Sequence, residues 1–441
     1  MSGNSNLYFK NLEEKILNKN ISVGIIGLGY VGLPLALTFC EKKIKVIGFD
    51  INKNYIEKIN NGESYIQHIN SERVANQVSK KLIKGTLDFK LIKETDVILI
   101  CVPTPLNKYK EPDLSFINST MENIKDNLRK GQLIILESTT YPGTTEEKIR
   151  PIIEKEGFKV GEDIFLVYSP EREDPGNKFF KTEDIPKILG GSTNKCSILG
   201  EQLYKLIIKK VFTLSSSKAA EMTKLVENVQ RAVNIGLMNE LKLLSDSLEI
   251  DIYEVIRAAS TKPFGFTTFF PGPGLGGHCI PIDPFYLSWK AKEFDMNLKF
   301  IELAGEVNAS MPNYVIKKIS DYFNNECKSI KNSKILILGM SYKKNVDDLR
   351  ESPSLKIADL LIKLGAKVSY SDPFFKELPN LRKYNLKLKN TDINSENLKK
   401  FDCTILATDH DAFDYDLIKN HSKFILDTRG KFKTSNNIVR G

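Results

Sequence analysis

The stretch Ile21–Gly32, with the sequence ISVGIIGLGYVG, decides the fold of this 441-residue chain. Its first six residues are typical of a buried strand, and the glycine pattern GxGxxG follows without a break. Residues 33–41 then have the apolar spacing of a helix, and 45–50 form a second predicted strand that ends in Asp50, 18 positions after the last glycine. A lone GxGxxG is a weak signal, but between a strand and a helix it predicts a βαβ dinucleotide fold.

This spacing favours NAD as the cofactor. The glycines let the backbone approach a pyrophosphate at the helix N-terminus, where the helix dipole favours negative charge. Asp50 should bond the adenosine ribose hydroxyls and repel a 2′-phosphate, which favours NAD over NADP. The alternative is a glycine turn without a ligand. The predicted cofactor contacts in this segment are Gly27, Leu28, Gly29, Tyr30, Val31, Gly32 and Asp50.

The alternation of strands and helices continues through the first half of the chain. Residues 96–102, 132–137 and 163–168 are predicted strands, and polar residues follow each of them. Ligands of open parallel sheets bind beyond the carboxyl ends of the strands, so these polar residues are candidates for ligand contacts. They are Thr104, Thr139, Glu171 and Arg172. Each one alone is more typical of a helix cap or a turn, and their repetition is what favours a site.

A second glycine-rich stretch, residues 271–284 with the sequence PGPGLGGHCIPIDP, presents a single cysteine. Glycine and proline disfavour helix and strand, which predicts a rigid loop with few side chains. A thiolate is the best side-chain nucleophile near neutral pH, and Asp283 could position a water or move a proton beside Cys279. The alternative is a turn in which Cys279 packs as a small apolar residue.

The middle of the chain contains one long predicted helix, residues 218–248. A helix of about 30 residues is about 45 Å long, which suits a bridge between two sheet domains and offers a face for dimerisation. Lys224 and Asn228 lie four residues apart and project from one face, with Arg231 beside them. The lysine could equally be a solvated surface residue, but asparagine inside a helix favours a specific task.

The last third predicts a second sheet domain without GxGxxG. Strands are expected at 334–338, 367–370, 403–407 and 424–427, with a helix at 353–364. Lys343 and Arg429 are the candidate cations for a phosphate-bearing ligand. The predicted fold class is therefore α/β, with two Rossmann-like doubly wound parallel-sheet domains joined by a long central helix. The expected domains are an N-terminal extension (1–20), an NAD-binding domain (21–215), a central helical domain (216–325) and a C-terminal ligand-binding domain (326–441).

Length, charge and cysteine content bound the possible functions. A chain of 441 residues exceeds one compact core, so two or three domains are expected. The net charge is +9, but no basic stripe interleaved with aromatics occurs, so a nucleic-acid partner is not expected. No apolar stretch approaches the roughly 20 residues that span a bilayer, and residues 7–17 suggest a short amphipathic helix. The six cysteines have no CxxC or metal-ligand spacing, which favours a reduced cytoplasmic setting without a bound metal.

Over nearly its whole length the sequence resembles the UDP-sugar 6-dehydrogenases of the UDP-glucose/GDP-mannose dehydrogenase superfamily. The matching motifs, in family order, are GLGYVGLP at 27–34, EST at 137–139, SPE at 169–171, KLVEN at 224–228, GGHC at 276–279 with Asp283, and RESP at 350–353. The segments SPER and PGPGLGGHC resemble the branch that acts on UDP-N-acetylhexosamines. UDP-glucose enzymes usually carry Phe-Leu where Arg172 and Glu173 stand.

The resemblance implies a four-electron oxidation of a sugar C6 hydroxyl to a carboxylate with two NAD per turnover. An aldehyde is captured by Cys279 as a thiohemiacetal, and a thioester then forms and is hydrolysed. By this resemblance Lys224 and Asn228 stabilise the oxyanion, while Asp283, Glu171 and Thr139 serve proton transfer and hydrolysis. Pro103, Thr104, Thr139 and Arg350 are added to the cofactor contacts. The implied substrate contacts are Glu171, Arg172, Glu173, Lys224, Asn228, Arg231, Gly274, Gly276, Tyr342, Lys343 and Arg429.

The family is typically dimeric through the central helix, so a homodimer is expected. The expected substrate is UDP-N-acetylglucosamine, used for a surface polysaccharide precursor. UDP-N-acetylgalactosamine, UDP-N-acetylmannosamine and UDP-glucose are the alternatives within the class. A non-catalytic regulator that binds NAD and a nucleotide sugar is the alternative from another class.

Overall fold

A computed structural model describes residues 4–66, 69–172, 182–277, 279–379, 381 and 383–441. The chain divides into two compact units. The N-terminal unit contains the residues up to Glu227 together with Trp289–Met296, and the C-terminal unit contains Asn228–Ser288 and Asn297–Gly441.

The N-terminal unit contains eight described strands, seven complete helices and the first part of an eighth. The strands are β1 (Ser22–Ile26), β2 (Lys45–Phe49), β3 (Ile83–Thr86), β4 (Val97–Ile100), β5 (Leu133–Leu136), β6 (Phe165–Tyr168), β7 (Lys187–Gly191) and β8 (Val211–Thr213). The helices are α1 (Asn4–Leu17), α2 (Gly32–Glu41), α3 (Lys53–Asn60), α4 (Ser71–Ser79), α5 (Ser115–Ile124), α6 (Arg150–Lys155), α7 (Asn194–Lys205) and α8 (Ser217–Ser247), whose second half belongs to the C-terminal unit. Short 3₁₀ turns cover Phe89–Glu94, Lys125–Asn127 and Thr182–Asp184, and a π turn covers Thr145–Ile149.

The C-terminal unit contains the remaining described elements. Its strands are β9 (Lys334–Leu338), β10 (Lys367–Ser371), β11 (Lys389–Asn390), β12 (Cys403–Leu406), β13 (Ile425–Asp427) and β14 (Ile438–Arg440). Its helices are α9 (Ile252–Ala259), α10 (Asp283–Ala291), α11 (Lys299–Asn325), α12 (Pro353–Lys363), α13 (Ser395–Leu398) and α14 (Tyr415–His421). The last turn of α10 and a 3₁₀ turn at Lys292–Phe294 belong to the N-terminal unit.

The N-terminal sheet has the strand order β3-β2-β1-β4-β5-β6-β7-β8. Strands β1–β6 are parallel to one another, whereas β7 runs antiparallel to β6 and β8 is parallel to β7, so the last two strands run in the opposite direction. The central strands β4, β5 and β6 are buried along their whole length, as expected of a sheet covered on both faces. The predicted Rossmann architecture is confirmed, and the reversal of β7 is a feature that the sequence pattern did not indicate.

Helix α1 confirms the predicted amphipathic helix at the N-terminus. Leu12 and Ile16 belong to the buried core of the N-terminal unit, and Lys15 forms an ion pair with Asp96 at 2.8 Å. Leu17 on the other side is exposed. The segment predicted as an extension is therefore part of the packing of this unit.

The C-terminal sheet, ordered β11-β10-β9-β12-β13-β14, is parallel throughout. Successive side chains of a strand point to opposite faces, and β9 shows the consequence. Ile335 and Ile337 belong to one buried cluster, while Leu336 and Leu338 belong to another. The second Rossmann-like domain, with a covered sheet, is confirmed.

In the C-terminal unit, the second half of α8 packs closely against α11. A Cβ added to Gly236 would lie 3.2 Å from Ala304, which explains a glycine in the middle of a long helix. Next to it, the buried Asn239 amide donates to Asn308 Oδ1 at 2.8 Å. Within the described residues, no helix is both long and apolar enough to cross a bilayer.

Candidate active site

The glycine-rich loop after β1 has the backbone geometry of a phosphate cradle. Gly27 has a positive φ of 89°, and a Cβ there would lie 2.8 Å from the carbonyl oxygen of Cys101. A Cβ on Gly32 would lie 1.9 Å from the Gly27 carbonyl oxygen. A Cβ on Gly29 would meet no described atom within 4 Å, so the middle glycine faces open space. Two glycines thus close the turn and the third leaves room for a ligand.

Helix α2 begins at the third glycine of this loop and supplies a helix N-terminus for an anion. Among the described residues, no side chain caps this end of the helix. Asp50 follows β2, and its two carboxylate oxygens accept from the backbone N–H groups of Leu28 and Asn52, each at 2.8 Å. These bonds fix the carboxylate beside the loop, as recognition of a ribose requires. The residues present therefore fit a dinucleotide without a 2′-phosphate.

Sequence reasoning missed a tyrosine that supports the glycine-rich loop. The Tyr65 hydroxyl donates to the backbone carbonyl of Leu28, and its ring stacks on Tyr55 with centroids 4.0 Å apart. Burial, followed by the charge of Asp50, raises the pKa of Tyr65 far above its usual value, so the hydroxyl remains a donor. No local motif marks this contact, because 37 residues separate the two partners.

The carboxyl ends of β4 and β5 are tied together by hydroxyl groups. Thr104 Oγ1 donates to the carbonyl oxygen of Thr139 at 2.7 Å, and Ser138 Oγ donates to that of Val102 at 2.6 Å. Pro103 is exposed between them. The structure thus brings the predicted cofactor residues Pro103, Thr104 and Thr139 to one edge of the sheet.

The segment after β6 carries the next group of predicted residues. Oε1 of Glu171 accepts from the backbone N–H of Arg172 at 2.6 Å. The Arg172 guanidinium donates to both oxygens of Glu227 and to the Pro186 carbonyl, so it is anchored within the N-terminal unit. Glu173, also predicted as a substrate contact, lies outside the described residues.

Lys224 reaches the same segment from α8. Its side chain is buried, and Nζ donates to the backbone carbonyl of Glu171 at 2.5 Å. A buried ammonium group is costly unless it is bonded, so Lys224 is not the solvated surface lysine of the alternative interpretation. Arg231, two turns further along α8, is exposed.

Sequence reasoning also missed a buried charged cluster at this edge of the sheet. Lys187 Nζ donates to Glu137 Oε2 at 2.6 Å and lies 3.6 Å from Glu171 Oε2. The Tyr204 hydroxyl donates to the other oxygen of Glu137. Burial is the main cause that raises the pKa of Glu137 above its usual value, and burial also raises the pKa of Tyr204.

The loop before α10 presents Cys279 on the surface. The backbone N–H of Asp283, the first residue of α10, donates to the Cys279 carbonyl at 2.8 Å, which closes a turn between the cysteine and the helix. Four other cysteines are buried or half-buried, and burial raises the pKa of each of their thiols; they are Cys40, Cys101, Cys196 and Cys403. The alternative in which Cys279 packs as a buried apolar residue is excluded by its exposure.

Asp283 and Asn228 form a pair behind this loop in the C-terminal unit. The Asn228 amide Nδ2 donates to Asp283 Oδ2 at 2.6 Å, and both side chains are buried. Asparagine in the middle of α8 therefore has the specific task that its poor helix propensity indicated.

The glycines of the loop let it pack against the C-terminal Rossmann-like sheet. A Cβ on Gly276 would lie 2.5 Å from Tyr342 Cβ, and one on Gly274, at φ 131°, would lie 3.2 Å from Pro353. The N–H of Gly277 donates to the carbonyl of Arg350 at 2.8 Å. These glycines allow the loop to pack closely against the C-terminal sheet domain, in addition to any role in admitting a sugar.

The remaining predicted cations lie on loops at the edge of the C-terminal sheet. Lys343, half-buried, follows Tyr342. The Arg350 guanidinium donates to both oxygens of Asp348, with Nε reaching Oδ1 and a terminal nitrogen reaching Oδ2. Arg429 Nε donates to the Ala407 carbonyl at 2.7 Å, and its guanidinium lies 3.1 Å from the Cβ position of Gly272. The C-terminal unit thus brings Arg429, Tyr342 and Arg350 to the cysteine loop.

Glu221 of α8 gives the N-terminal unit a pH-dependent contact. Its buried carboxylate accepts from the N–H groups of Gly143 and Thr145, in the turn that follows the Thr139 segment. Burial raises the pKa of Glu221 from 4.5 to about 7. Because the folded-state pKa is raised, the stability that this carboxyl contributes is complete below pH 4.5 and is lost as the pH rises through 7.

The expected result is a loss of about 2–3 kcal/mol of unfolding free energy between about pH 5 and pH 8 that is specific to the Glu221 carboxyl. Urea unfolding of the wild type and of Glu221→Gln at both pH values measures it, and the pH-dependent difference should be smaller in the variant by this amount. Glu240→Gln, at an exposed position on the same helix, is the matched control and should keep the wild-type pH dependence. Equal pH dependence in the wild type and in Glu221→Gln would contradict the assignment.

The fold and the site together define a dinucleotide-dependent oxidoreductase with a second Rossmann-like domain and an exposed cysteine. Models of the UDP-glucose/GDP-mannose dehydrogenase family match the chain in three parts: the NAD binding domain at residues 21–208, the central domain at 218–310 and the UDP binding domain at 336–434. The chain belongs to this family and is an NAD-dependent UDP-sugar dehydrogenase.

Individual relatives support the N-acetylhexosamine branch of the family. The chain is 35% identical to a UDP-N-acetyl-D-glucosamine 6-dehydrogenase of Salmonella typhi over 396 residues, covering 89% of this chain and 91% of the relative. It is 38% identical to a UDP-N-acetyl-D-mannosamine dehydrogenase of Campylobacter jejuni over 383 residues, covering 85% and 90%. The solved UDP-D-ManNAc dehydrogenase of Pyrococcus horikoshii is similar with a TM-score of 0.84 and 31% identity, covering 94% and 97%.

Proposed function

We propose that this protein oxidises the C6 hydroxyl of UDP-N-acetylglucosamine to the carboxylate, with two NAD per turnover. The observation that carries the proposal is the exposed Cys279, on a loop with few side chains at the N-terminus of α10. In an NAD-dependent enzyme such a thiol can form a covalent intermediate with the aldehyde, and this intermediate can be oxidised further to an acyl thioester. The product would serve as a precursor for surface polysaccharide.

The residues of the chain have distinct tasks in this reaction. NAD, when bound, supplies the hydride acceptor for both oxidations. Cys279 attacks the C6 aldehyde to form a thiohemiacetal and later holds the thioester. Lys224 and Asn228 donate to the oxygen on C6 as it gains charge. Asp283 accepts and returns protons near the sulfur.

Hydrolysis of the thioester requires a water and a base. Glu171 accepts a proton from that water, and Thr139 helps to hold it. The proposed contacts to the sugar and diphosphate are Arg172, Glu173, Arg231, Lys343 and Arg429, joined by Gly274, Gly276 and Tyr342. Arg350 is proposed to contact the NAD phosphates, together with the loop at 27–32, Asp50, Pro103 and Thr104.

The relatives and the SPER and PGPGLGGHC segments support an N-acetylhexosamine, and UDP-N-acetylglucosamine is the sugar that we propose within that group. UDP-N-acetylmannosamine and UDP-N-acetylgalactosamine are the main alternatives, because related dehydrogenases are named for each of the corresponding amino sugars or its uronic acid. UDP-glucose is a weaker alternative, since Arg172 stands where enzymes of that branch usually carry phenylalanine.

The expected yield is about two NADH per UDP-uronate, because an alcohol loses four electrons on the way to an acid. The absorbance of NADH at the end of the reaction, together with the amount of UDP-uronate from mass spectrometry, gives this ratio for each of the four UDP-sugars. The value of kcat/KM should be highest for UDP-N-acetylglucosamine. A ratio of one with a ketone product would overturn the mechanism, and NAD binding without turnover of any sugar would favour a regulator.

We also propose a homodimer formed through the second half of α8, in the cytoplasm. Leu237, Leu241 and Leu244 are exposed at spacings of four and three, which places an apolar stripe on one face of the helix. Sedimentation should give about twice the chain mass of 49.9 kDa. A monomeric mass would contradict the proposal.

None of the six cysteines forms a disulfide within the described part of the chain, which suits a reducing compartment.

A further inference from the structure

A buried lysine lies at the ligand edge of the N-terminal sheet, although no step of the proposed reaction uses it. Lys187 is the first residue of β7. Because β7 runs antiparallel to β6, with Gly190 opposite Tyr168, its first residue lies at the edge where β6 ends. In an all-parallel sheet the first residue of a strand lies at the opposite edge. The reversed direction of β7 therefore brings an ammonium group to the carboxyl edge of β6.

Two carboxylates share this ammonium group. Lys187 Nζ donates to Glu137 Oε2 at 2.6 Å and lies 3.6 Å from Glu171 Oε2. Lys187 and Glu137 are buried, whereas 19% of the Glu171 side chain is exposed. The Tyr204 hydroxyl donates to Glu137 Oε1, and its ring centroid lies 5.1 Å from Nζ. Glu171 is thus the member of the cluster that can meet a ligand.

Lys187 places a positive charge beside Glu171, while Glu137 adds a negative charge that acts in the opposite direction. Burial acts to lower the pKa of Lys187, but the carboxylates of Glu137 and Glu171 outweigh it and raise that pKa, so the ammonium stays charged. A positive charge within about 4–6 Å favours the carboxylate form of a neighbouring acid. Tyr204 satisfies the second oxygen of Glu137, which leaves the ammonium shared with Glu171.

We propose that Lys187 is a positioning residue that keeps Glu171 ionised and oriented as the base for thioester hydrolysis. This inference rests on the proposed function. In that step the water oxygen bonds to C6, the bond between C6 and the Cys279 sulfur breaks, and the sulfur leaves as a thiolate. One proton of the water passes to Glu171, and the acid product then ionises. Lys187 holds the Glu171 side chain, while Lys224 holds its backbone carbonyl.

The pH profile of turnover tests this role. In Lys187→Met the acidic limb of kcat should move to higher pH by about one unit, because Glu171 loses its neighbouring cation. Because Glu171 also loses the group that holds it in position, kcat at about pH 7 should fall about tenfold, with a burst of NADH before a slow steady state. Intact-protein mass spectrometry should then find the acyl adduct on Cys279. The KM for NAD should stay within about twofold, since Lys187 has no part in the proposed cofactor contacts.

A second variant distinguishes an effect on Glu171 from a loss of protein stability. Lys187→Met alone leaves the Glu137 charge buried without its cation, which destabilises the protein. The double variant Lys187→Met/Glu137→Gln removes both charges and keeps a partner for Tyr204. Compared with Glu137→Gln alone, it should move the acidic limb to higher pH by about one unit, whereas Lys187→Arg should restore the wild-type limb. The exposed Lys209→Met is the matched control in the same unit and should leave the profile unchanged.

The outcomes separate this inference from the proposed function. An acidic limb in the double variant that matches the limb of Glu137→Gln alone would show that Lys187 only neutralises Glu137, and it would overturn the inference alone. A wild-type protein that oxidises none of the four UDP-sugars would overturn both.

Discussion

Replacing Cys279 by serine is expected to lower the rate of uronate formation by more than about 10³-fold. A serine hydroxyl is a weaker nucleophile near neutral pH, and the oxygen ester that it would form does not replace the thioester. The exposed position of Cys279 at the start of α10 makes the substitution sterically mild, so the fold should be retained. Uronate formation, followed by mass spectrometry, is the measurement.

Binding of NAD should be unchanged in this variant. The glycine-rich loop and Asp50 belong to the N-terminal unit, whereas Cys279 belongs to the C-terminal unit. Titration of NAD by calorimetry measures the affinity directly. Cys327→Ser is the matched control, because Cys327 is the other exposed cysteine among the six and should tolerate the change. Full activity of Cys279→Ser would defeat the covalent mechanism, and equal losses in both variants would indicate an effect on folding.

The sequence predicted those parts of the fold that depend on local pattern. The strand at Lys334–Leu338 has the predicted bounds, and the long helix was predicted within one residue at each end. Such elements can be predicted because the apolar pattern that marks them, whether alternating or continuous, lies within a few neighbouring positions. The glycine-rich loop was equally predictable, since the turn leaves no room for a Cβ at Gly27 or Gly32.

The parts that the sequence did not predict depend on contacts between distant residues. Strand β7 has the sequence KILGG, and nothing in it indicates that the strand runs antiparallel to β6. The Lys187 cluster follows from that reversal, so it could not be found from sequence alone. The bond from Tyr65 to Leu28 likewise joins residues 37 positions apart. Motif residues could be predicted, whereas the side chains that hold them could not.

The arginine after β6 shows a further limit of motif reasoning. Arg172 was assigned to the substrate, and in the structure its guanidinium is bonded to Glu227 and to the Pro186 carbonyl. A motif identifies the residue type, but it does not show which groups of the protein that residue already contacts without a ligand. Contact with a diphosphate would have to compete with that ion pair.

Replacing Lys224 by methionine has the second largest expected effect on the reaction. The loss of a buried donor to a developing oxyanion should lower kcat by about 10²–10³-fold. Methionine has a similar length and is apolar, so it fills the buried space that Lys224 occupies on α8. Because the interaction forms only as charge develops, kcat and kcat/KM should fall together. Steady-state kinetics with UDP-N-acetylglucosamine are the measurement.

The position of Lys224 makes a matched comparison possible on the same helix. Lys218 lies on α8 six residues earlier and is exposed, so Lys218→Met removes an equal charge and should leave kcat within about twofold. Lys224→Arg keeps the charge but changes the geometry of the bond to the Glu171 carbonyl, so it should recover only part of the activity. A Lys224→Met enzyme with wild-type kcat would show that the ammonium does not stabilise the charge that develops on the oxygen at C6.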